Sequence, residues 1–337
     1  MIIENKIKNP VQINLIMYNI CTSTRENINN MQQMMQQNST EKFPIRTVSE
    51  ITGVNAVTLR AWERRYGLIK PLRTPKGHRL YSRSDIRLVE EILGRLSQGM
   101  SISQVAKDIL ENAPAAIVDE NSNTWDHYAE KMIAATVSYD EQQLDLVYND
   151  AMSLYPIDIV TSRLLLPLLR ELGNRWAKKT GSVAEEHFFS MYLRNKLGAR
   201  FHHQNLTNQG PKLIMACLPG EHHEFGILLF ALTAHSKGYR IILLGTDLPV
   251  SELKQVSNTT QSEGIVLAGS AALSCQSIYE NLESLCRSVS IPVFIGGDVS
   301  YSCREDITNA NAIPLTHDLA ASLTIISDRL QKSKLNT

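Results

Sequence analysis

The chain has 337 residues, 43% of them hydrophobic, and its 34 basic and 34 acidic side chains cancel. That length buries two or three cores, and the zero balance excludes a chain that is basic or acidic throughout, so any charged binding face has to be local. The cysteines Cys21, Cys217, Cys275, Cys286 and Cys303 show no Cys-x-x-Cys spacing. They suggest neither a disulfide framework nor a zinc site and fit a reduced cytoplasm. No apolar run reaches the length of a membrane span, and Val11 to Cys21, interrupted by asparagines, lacks the charge pattern of a signal peptide. Residues 1–42 are rich in Asn, Gln and Met, as in the run Met31 to Gln37, and read as a mostly disordered extension.

Pro44 to Thr52, a turn at Gly53, and the stretch up to Leu68 read as helix, turn, helix. Arg73-Thr74-Pro75-Lys76-Gly77-His78-Arg79-Leu80-Tyr81 follows, a turn flanked by basic residues with an aromatic end, as a wing needs. Between residues 43 and 83, nine Arg and Lys stand against Glu50 and Glu63, a local excess of about +7. Such an excess binds phosphate and makes affinity fall with salt. Thr58, Arg60 and Arg64 are expected on the groove-facing side of the second helix with Arg65 beside them, and Arg73, His78, Arg79 and Tyr81 in wing and backbone contacts. Trp62 is expected in the core. The run from Leu59 to Leu68, Leu-Arg-Ala-Trp-Glu-Arg-Arg-Tyr-Gly-Leu, resembles the winged helix of the MerR family, which implies double-stranded operator DNA as a partner.

Ser84 to Gln98 and Ser101 to Asn112 complete a domain over residues 43–113, each helix opening on a serine suited to an N-cap. The long coiled coil and cysteine-lined effector site common in MerR proteins are not visible. Pro114 breaks the helical pattern and polar residues follow, so 114–124 reads as a linker. From Trp125 to about His203 glycine is nearly absent, and apolar residues recur at helical spacing, as in Leu144-Val147-Tyr148-Met152 and Leu164-Leu165-Leu168-Leu169-Leu172. Residues 125–207 therefore read as a bundle of four helices. Taken alone, Trp176 is a core residue there and Glu185-Glu186 a solvated helix start.

Residues 210–332 alternate strand and helix. Lys212 to Cys217, Gly264 to Gly269, Ile291 to Ile295 and Ala312 to Leu315 read as strands. Glu224 to Lys237, Ser251 to Val256, Gln276 to Ser288 and Asp318 to Leu330 read as helices between or after them. With no Gly-x-Gly-x-x-Gly after the first strand, the sheet is read as flavodoxin-like rather than dinucleotide-binding. The loop Leu218-Pro219-Gly220-Glu221-His222-His223-Glu224-Phe225-Gly226 leaves the carboxyl edge of that sheet, where open α/β folds bind ligands. A neutral imidazole there is a good transition-metal ligand, a nearby carboxylate can hold its other nitrogen, and Gly226 removes a side chain where a bulky ring must approach. Ser270 and Gly296-Gly297 stand at later strand ends.

Glu221-x-His223-x-x-Gly226 resembles the lower-ligand motif of cobalamin-binding domains. The resemblance implies His223 as the lower axial ligand of cobalt, Ser270 near the displaced nucleotide base, and backbone of Gly296 and Gly297 close to it. Trp176, nine residues before Glu186-His187 in a bundle ahead of such a domain, resembles the cap of CarH/LitR-type light sensors. That implies Trp176, Val183, Glu186 and His187 against the adenosyl group of adenosylcobalamin. In the family's prototype a histidine follows the tryptophan and becomes a second cobalt ligand after light; here the position is Ala177, which excludes that photoproduct from this site. The architecture implied is multidomain, α and α/β: winged helix-turn-helix, helical cap and flavodoxin-like domain.

The function implied is not enzymatic. It is a transcriptional repressor that forms a homo-oligomer, a tetramer in the family, on operator DNA in the dark and releases it after the cobalt–carbon bond is cleaved by light. A corrinoid methyltransferase subunit shares the helical cap and loop histidine but has no use for a winged helix. A regulator that senses cobalamin level, or none, is the other alternative.

Overall fold

In the computed structural model, residues 41–111, 121–178, 181–204, 208–270 and 273–335 are described. The first module runs β1 (Lys42–Pro44), α1 (Ile45–Thr52), α2 (Ala56–Ala61, continued by a π-helical turn Trp62–Tyr66), β2 (Leu72–Arg73), β3 (Arg79–Ser82), α3 (Arg83–Ser97) and α4 (Ile102–Glu111). The break between α1 and α2 is set locally. Gly53 takes the left-handed conformation at φ 72° and returns its N–H to the Ser49 carbonyl, and Asn55 Oδ1 accepts the Val57 N–H to start α2. The wing is the β2–β3 hairpin, and β1 adds to the other side of β3 with Phe43 opposite Tyr81.

Two boundaries differ from the sequence reading. Lys42 belongs to β1, paired with Ser82; of the rest of the expected extension Glu41 is described and residues 1–40 lie outside the described residues. The cap of α3 is Ser82 in a reciprocal capping box with Asp85, not Ser84, since the serine that ends β3 already has extended backbone.

The second module is the expected four-helix bundle: α5 (Asn121–Val137), α6 (Glu141–Leu154), a third helix formed by α7 (Ile157–Val160), a π-helical turn and α8 (Leu166–Ala177), and α9 (Val183–Gln204). Of the expected linker, 114–120 lies outside the described residues and 121–124 are already helical. Leu144, Leu164, Leu165, Leu168, Phe189, Leu193 and Leu197 form its core, the leucine stripe facing inward as its spacing requires. The first module docks on this bundle. Trp62 Nε1 donates to the Leu154 carbonyl at 2.9 Å in a buried contact, Arg65 pairs with Asp150 at 3.2 Å, the Ile102 N–H reaches Tyr155 Oη at 3.3 Å, and Arg163 donates to the Ser97 carbonyl at 2.9 Å.

The third module runs β4 (Lys212–Cys217), α10 (Phe225–Ser236), β5 (Arg240–Gly245), α11 (Glu252–Thr260), β6 (Gly264–Ala268), α12 (Cys275–Ser288), β7 (Val293–Gly296), α13 (Val299–Ser302), α14 (Arg304–Asn309), β8 (Ile313–Pro314) and α15 (Leu319–Leu335). All pairings are parallel in the order β5-β4-β6-β7-β8, the flavodoxin-type order with its switch point between β4 and β6. Period-two side-chain alternation builds two cores. Ile214, Ala216, Ile265, Leu267 and Ile295 face α11 and α12, whereas Leu213, Met215, Cys217, Val266 and Phe294 join the core that continues into the bundle. The inner helix α10 is buried from Ile227 through His235, which explains its unbroken apolar sequence.

Strand β5 was not among the sequence-predicted strands. Its Arg-Ile-Ile-Leu-Leu-Gly run is short, and only pairing beside β4 distinguishes it from a buried helix turn. The cysteine expectation is also corrected: Cys275 and Cys303 form a disulfide. Spacing gave no sign of it, because 28 residues separate partners that the strand-end loops bring together.

Candidate ligand cleft and nucleic-acid interface

The loop after β4 is held at its start. The Leu218 N–H bonds the Ala268 carbonyl, and the Gly220 N–H bonds Asp247 Oδ1 at 2.9 Å. The next residue, Glu221, accepts the Asp247 N–H on its carbonyl, and its side chain turns inward, only 3% exposed. Its Oε1 accepts the backbone N–H of His223 at 2.8 Å and the Nδ1 of the same residue at 2.6 Å, and its Oε2 accepts the Ser270 N–H at 2.5 Å. Burial pushes the Glu221 carboxyl up, but the hydrogen bonds from His223 and Ser270 outweigh it and bring the pKa down to about 2. An ionised carboxylate only accepts, so Nδ1 carries a proton, and in the neutral ring the lone pair is then on Nε2. The His223 side chain is 86% exposed, which leaves that lone pair facing out of the loop.

His223 stands at the mouth of a 230 Å³ cavity at the carboxyl ends of β4, β6, β7 and β8, at the topological switch point. Glu221, Gly226, Ser270, Gly296 and Gly297 line it with His223, so the structure brings together all six residues that the sequence placed on this edge. Two glycines explain the shape. Among the described residues, a Cβ on Gly226 would meet nothing within 4 Å beyond its own stretch of helix, so the surface there is left open to a guest. Gly297 has φ +84°, and a Cβ on it would come 2.3 Å from the Gly269 carbonyl oxygen, so only glycine lets the loops after β6 and β7 touch.

Other lining residues went unread in the sequence: Leu166 and Arg170 from α8, and Asp298, Thr316 and His317 near β8. The His317 ring stacks on Tyr301 at 4.1 Å and 9°. Arg170 sits within a leucine-rich helix whose pattern reads as bundle core; only docking of the bundle on the sheet reveals that α8 overhangs the cleft. The expected cap residues sit at the end of α8 and the start of α9. Trp176 and Ala177 lie in the last turn of α8, and their side chains are outside what is described. Val183 and His187 are exposed and Glu186 half-buried at the start of α9, and none of the three lines the cavity among the described residues.

On the first module, Arg60, Arg64 and His78 are exposed as expected, together with Lys70 and Lys76. Arg73 and Arg79 instead converge on Glu63, at 2.7 and 2.5 Å, and lock the wing to α2. Burial raises the Glu63 carboxyl pKa, yet the hydrogen bonds from Arg79 and Arg73 hold it below the usual carboxylate range. Arg65 is engaged by Asp150 of the bundle. Two expectations are overturned. Thr58 is 1% exposed and Tyr81 is 0% exposed, so neither side chain is presented to a duplex. Thr58 lies on the face of α2 turned toward the other modules, and the aromatic end of the wing closes the core beside Phe43.

Residues 43–112 match the model of the MerR HTH family regulatory proteins, and residues 128–200 match that of a B12 binding domain. The chain is similar to the HTH-type transcriptional repressor CarH of Myxococcus xanthus, 30% identical over 273 residues that cover 77% of this chain and 90% of that protein. The HTH-type transcriptional repressor CarA of the same organism is 29% identical over 256 residues, 75% of this chain and 85% of that one. Among solved structures, a monomethylamine corrinoid protein from Methanosarcina barkeri covers 60% of this chain and 98% of its own at 16% identity, with a TM-score of 0.48. The chain is thus a DNA-binding transcriptional regulator rather than an enzyme, and it belongs to the CarH-type family, in which a MerR helix-turn-helix is joined to a cobalamin-binding domain.

Proposed function

We propose that the protein is a repressor that grips operator DNA in the dark with adenosylcobalamin bound and releases it after light. The observation that carries this reading is the Glu221–His223 pair, a buried carboxylate fixing an exposed imidazole so that Nε2 is the available metal ligand. The residues fit the cofactor. At 230 Å³ the cavity lies below the roughly 300–1,000 Å³ of a typical small-molecule site, so it would suit a flat base-sized group, with Gly226 and His223 left to face the larger ring. When bound, adenosylcobalamin supplies cobalt chemistry and a cobalt–carbon bond that light breaks.

In this reading His223 would hold cobalt through Nε2, and Ser270, Gly296 and Gly297 would flank the base. Trp176, Val183, Glu186 and His187, at the junction of α8 and α9, close over the adenosyl side. The bundle that makes this closure also carries the DNA-binding module through Trp62 and Arg65. A change in how the bundle sits on the sheet therefore reaches α2 and the wing directly. Several linked DNA-binding modules in a homo-oligomer, a tetramer in this reading, raise avidity for an operator steeply. The protein acts in the cytoplasm, where the DNA is.

The test is to purify the full chain with adenosylcobalamin in darkness and record absorbance, mass distribution and operator binding before and after green light. Light-dependent loss of both the oligomer and the gel shift is expected; a chain that takes up no cobalamin refutes the reading. A second reading, a sensor of cobalamin level without photochemistry, is favoured by Ala177 and by the placement of Val183, Glu186 and His187 away from the cavity lining. Cobalamin-dependent DNA binding that ignores light selects it.

A further inference from the structure

Cys275 and Cys303 are joined across 28 residues of sequence, with 5.3 Å between their Cα atoms. The bond ties the first residue of α12 to the junction of α13 and α14. Both anchors sit just behind the cavity. Leu273, two residues before Cys275, packs under the strand end so closely that a Cβ on Gly269 would come 2.8 Å from its Cδ1. Val299, four residues before Cys303, donates its N–H to the Gly269 carbonyl at 3.2 Å. Gly269 in turn bonds the Gly296 carbonyl and precedes Ser270, which holds Glu221. The bond therefore encloses Gly297 in a covalent ring and, through Leu273 and Val299 against Gly269, braces the strand end from which Ser270 holds Glu221.

A DNA-binding regulator works where thiols are kept reduced, and a disulfide in that setting is transient and redox-sensing more often than structural. Resting on the cobalamin reading above, we propose that Cys275–Cys303 is a reversible thiol–disulfide modification site that sets how firmly the cleft retains its cofactor. Cys303 is 2% exposed and Cys275 half-buried, so exchange enters at Cys275. Its place at the start of a 14-residue helix favours the thiolate that exchange requires.

The oxidant is a low-molecular-weight disulfide of the glutathione class. The Cys275 thiolate attacks one of its sulfurs, a mixed disulfide forms and the first small thiolate leaves. The Cys303 thiolate then attacks the Cys275 sulfur, the protein disulfide forms and the second small thiolate leaves. Two electrons pass to the small disulfide, and the two protons lost by the cysteines end on the two small thiols. Two other cysteines are poor competitors. Burial pushes the Cys217 thiol up to about 12 and the Cys286 thiol up to about 11, so neither is appreciably ionised near neutral pH.

The test uses the full chain loaded with adenosylcobalamin in the dark and equilibrated in oxidising or reducing glutathione buffers. Thiols are trapped with iodoacetamide and the peptides mapped by mass spectrometry, while release of cofactor is followed by absorbance after gel filtration. The oxidised protein is expected to yield a linked Cys275–Cys303 peptide and to release cofactor several-fold more slowly than the reduced protein. Cys275→Ser and Cys303→Ser are expected to release at the reduced rate in both buffers, and Cys286→Ser to respond like wild type. Alkylation of both cysteines under oxidising conditions, or equal release rates with the linked peptide present, would overturn the proposal. Failure of the cobalamin reading is distinct, since it appears as no cofactor uptake in either buffer.

Discussion

A single carboxylate oxygen of Glu221 accepts both the main-chain N–H and the ring Nδ1–H of His223, at 2.8 and 2.6 Å. The two contacts fix the backbone and the imidazole of the same residue, so the carboxylate sets ring orientation and tautomer together.

Replacing the ligand and replacing its support should differ in degree. His223→Ala is expected to lose cobalamin retention or return the bound cofactor to a base-on spectrum. Glu221→Gln keeps the imidazole but loses the charge, and is expected to weaken retention roughly 10–100-fold. Equilibrium dialysis and absorbance in the dark measure both: wild-type affinity and spectrum in His223→Ala would remove His223 from the role of metal ligand, and wild-type affinity in Glu221→Gln would remove Glu221 as its support.

The same carboxylate gives the fold an acid-sensitive contact. Its folded pKa, about 2, lies below the ordinary 4.5, so its stabilisation is complete above pH 4.5 and is lost as pH falls toward 2. The difference in urea midpoint between wild type and Glu221→Gln should therefore be constant from neutral pH down to about 5 and shrink below it. A gap that widens on acidification contradicts this assignment.

Gly297→Ala combines a left-handed backbone at φ +84° with a Cβ that would lie 2.3 Å from the Gly269 carbonyl oxygen. Strain and overpacking together are expected to cost about 2–4 kcal/mol. Chemical denaturation of the cofactor-free chain measures it, whereas Gly226→Ala, which meets nothing, should leave that stability within about 1 kcal/mol and act on cofactor binding alone.

On the first module, Arg60→Ala and Arg64→Ala are expected to lower operator affinity and reduce the salt dependence of binding by about one phosphate contact each. Tyr81→Phe is expected to leave DNA affinity unchanged, because the ring is wholly buried. Its hydroxyl is buried without a hydrogen-bond partner among the described residues, and burial pushes its pKa up to about 12. Removing that hydroxyl should be neutral or stabilising by about 1 kcal/mol. Gel shifts across a salt series, paired with thermal melts, separate these outcomes.

The amino-acid sequence by itself determined what depends on near neighbours. Gly53 and Asn55 place the turn between two helices, short continuous apolar runs mark the buried parallel strands, and Glu221-x-His223-x-x-Gly226 puts a carboxylate and an imidazole on one tight loop. Each of these follows from backbone conformation or from spacing within one element. Tertiary structure alone decided which faces are covered. It buried Thr58 in the seam between modules and Tyr81 under the wing, and it turned Arg73 and Arg79 onto Glu63. It also swung Arg170 over the cleft and closed Cys275 onto Cys303. Those outcomes depend on how strand ends and helices from distant parts of the chain are packed against each other, and side-chain type and local period carry no record of that packing.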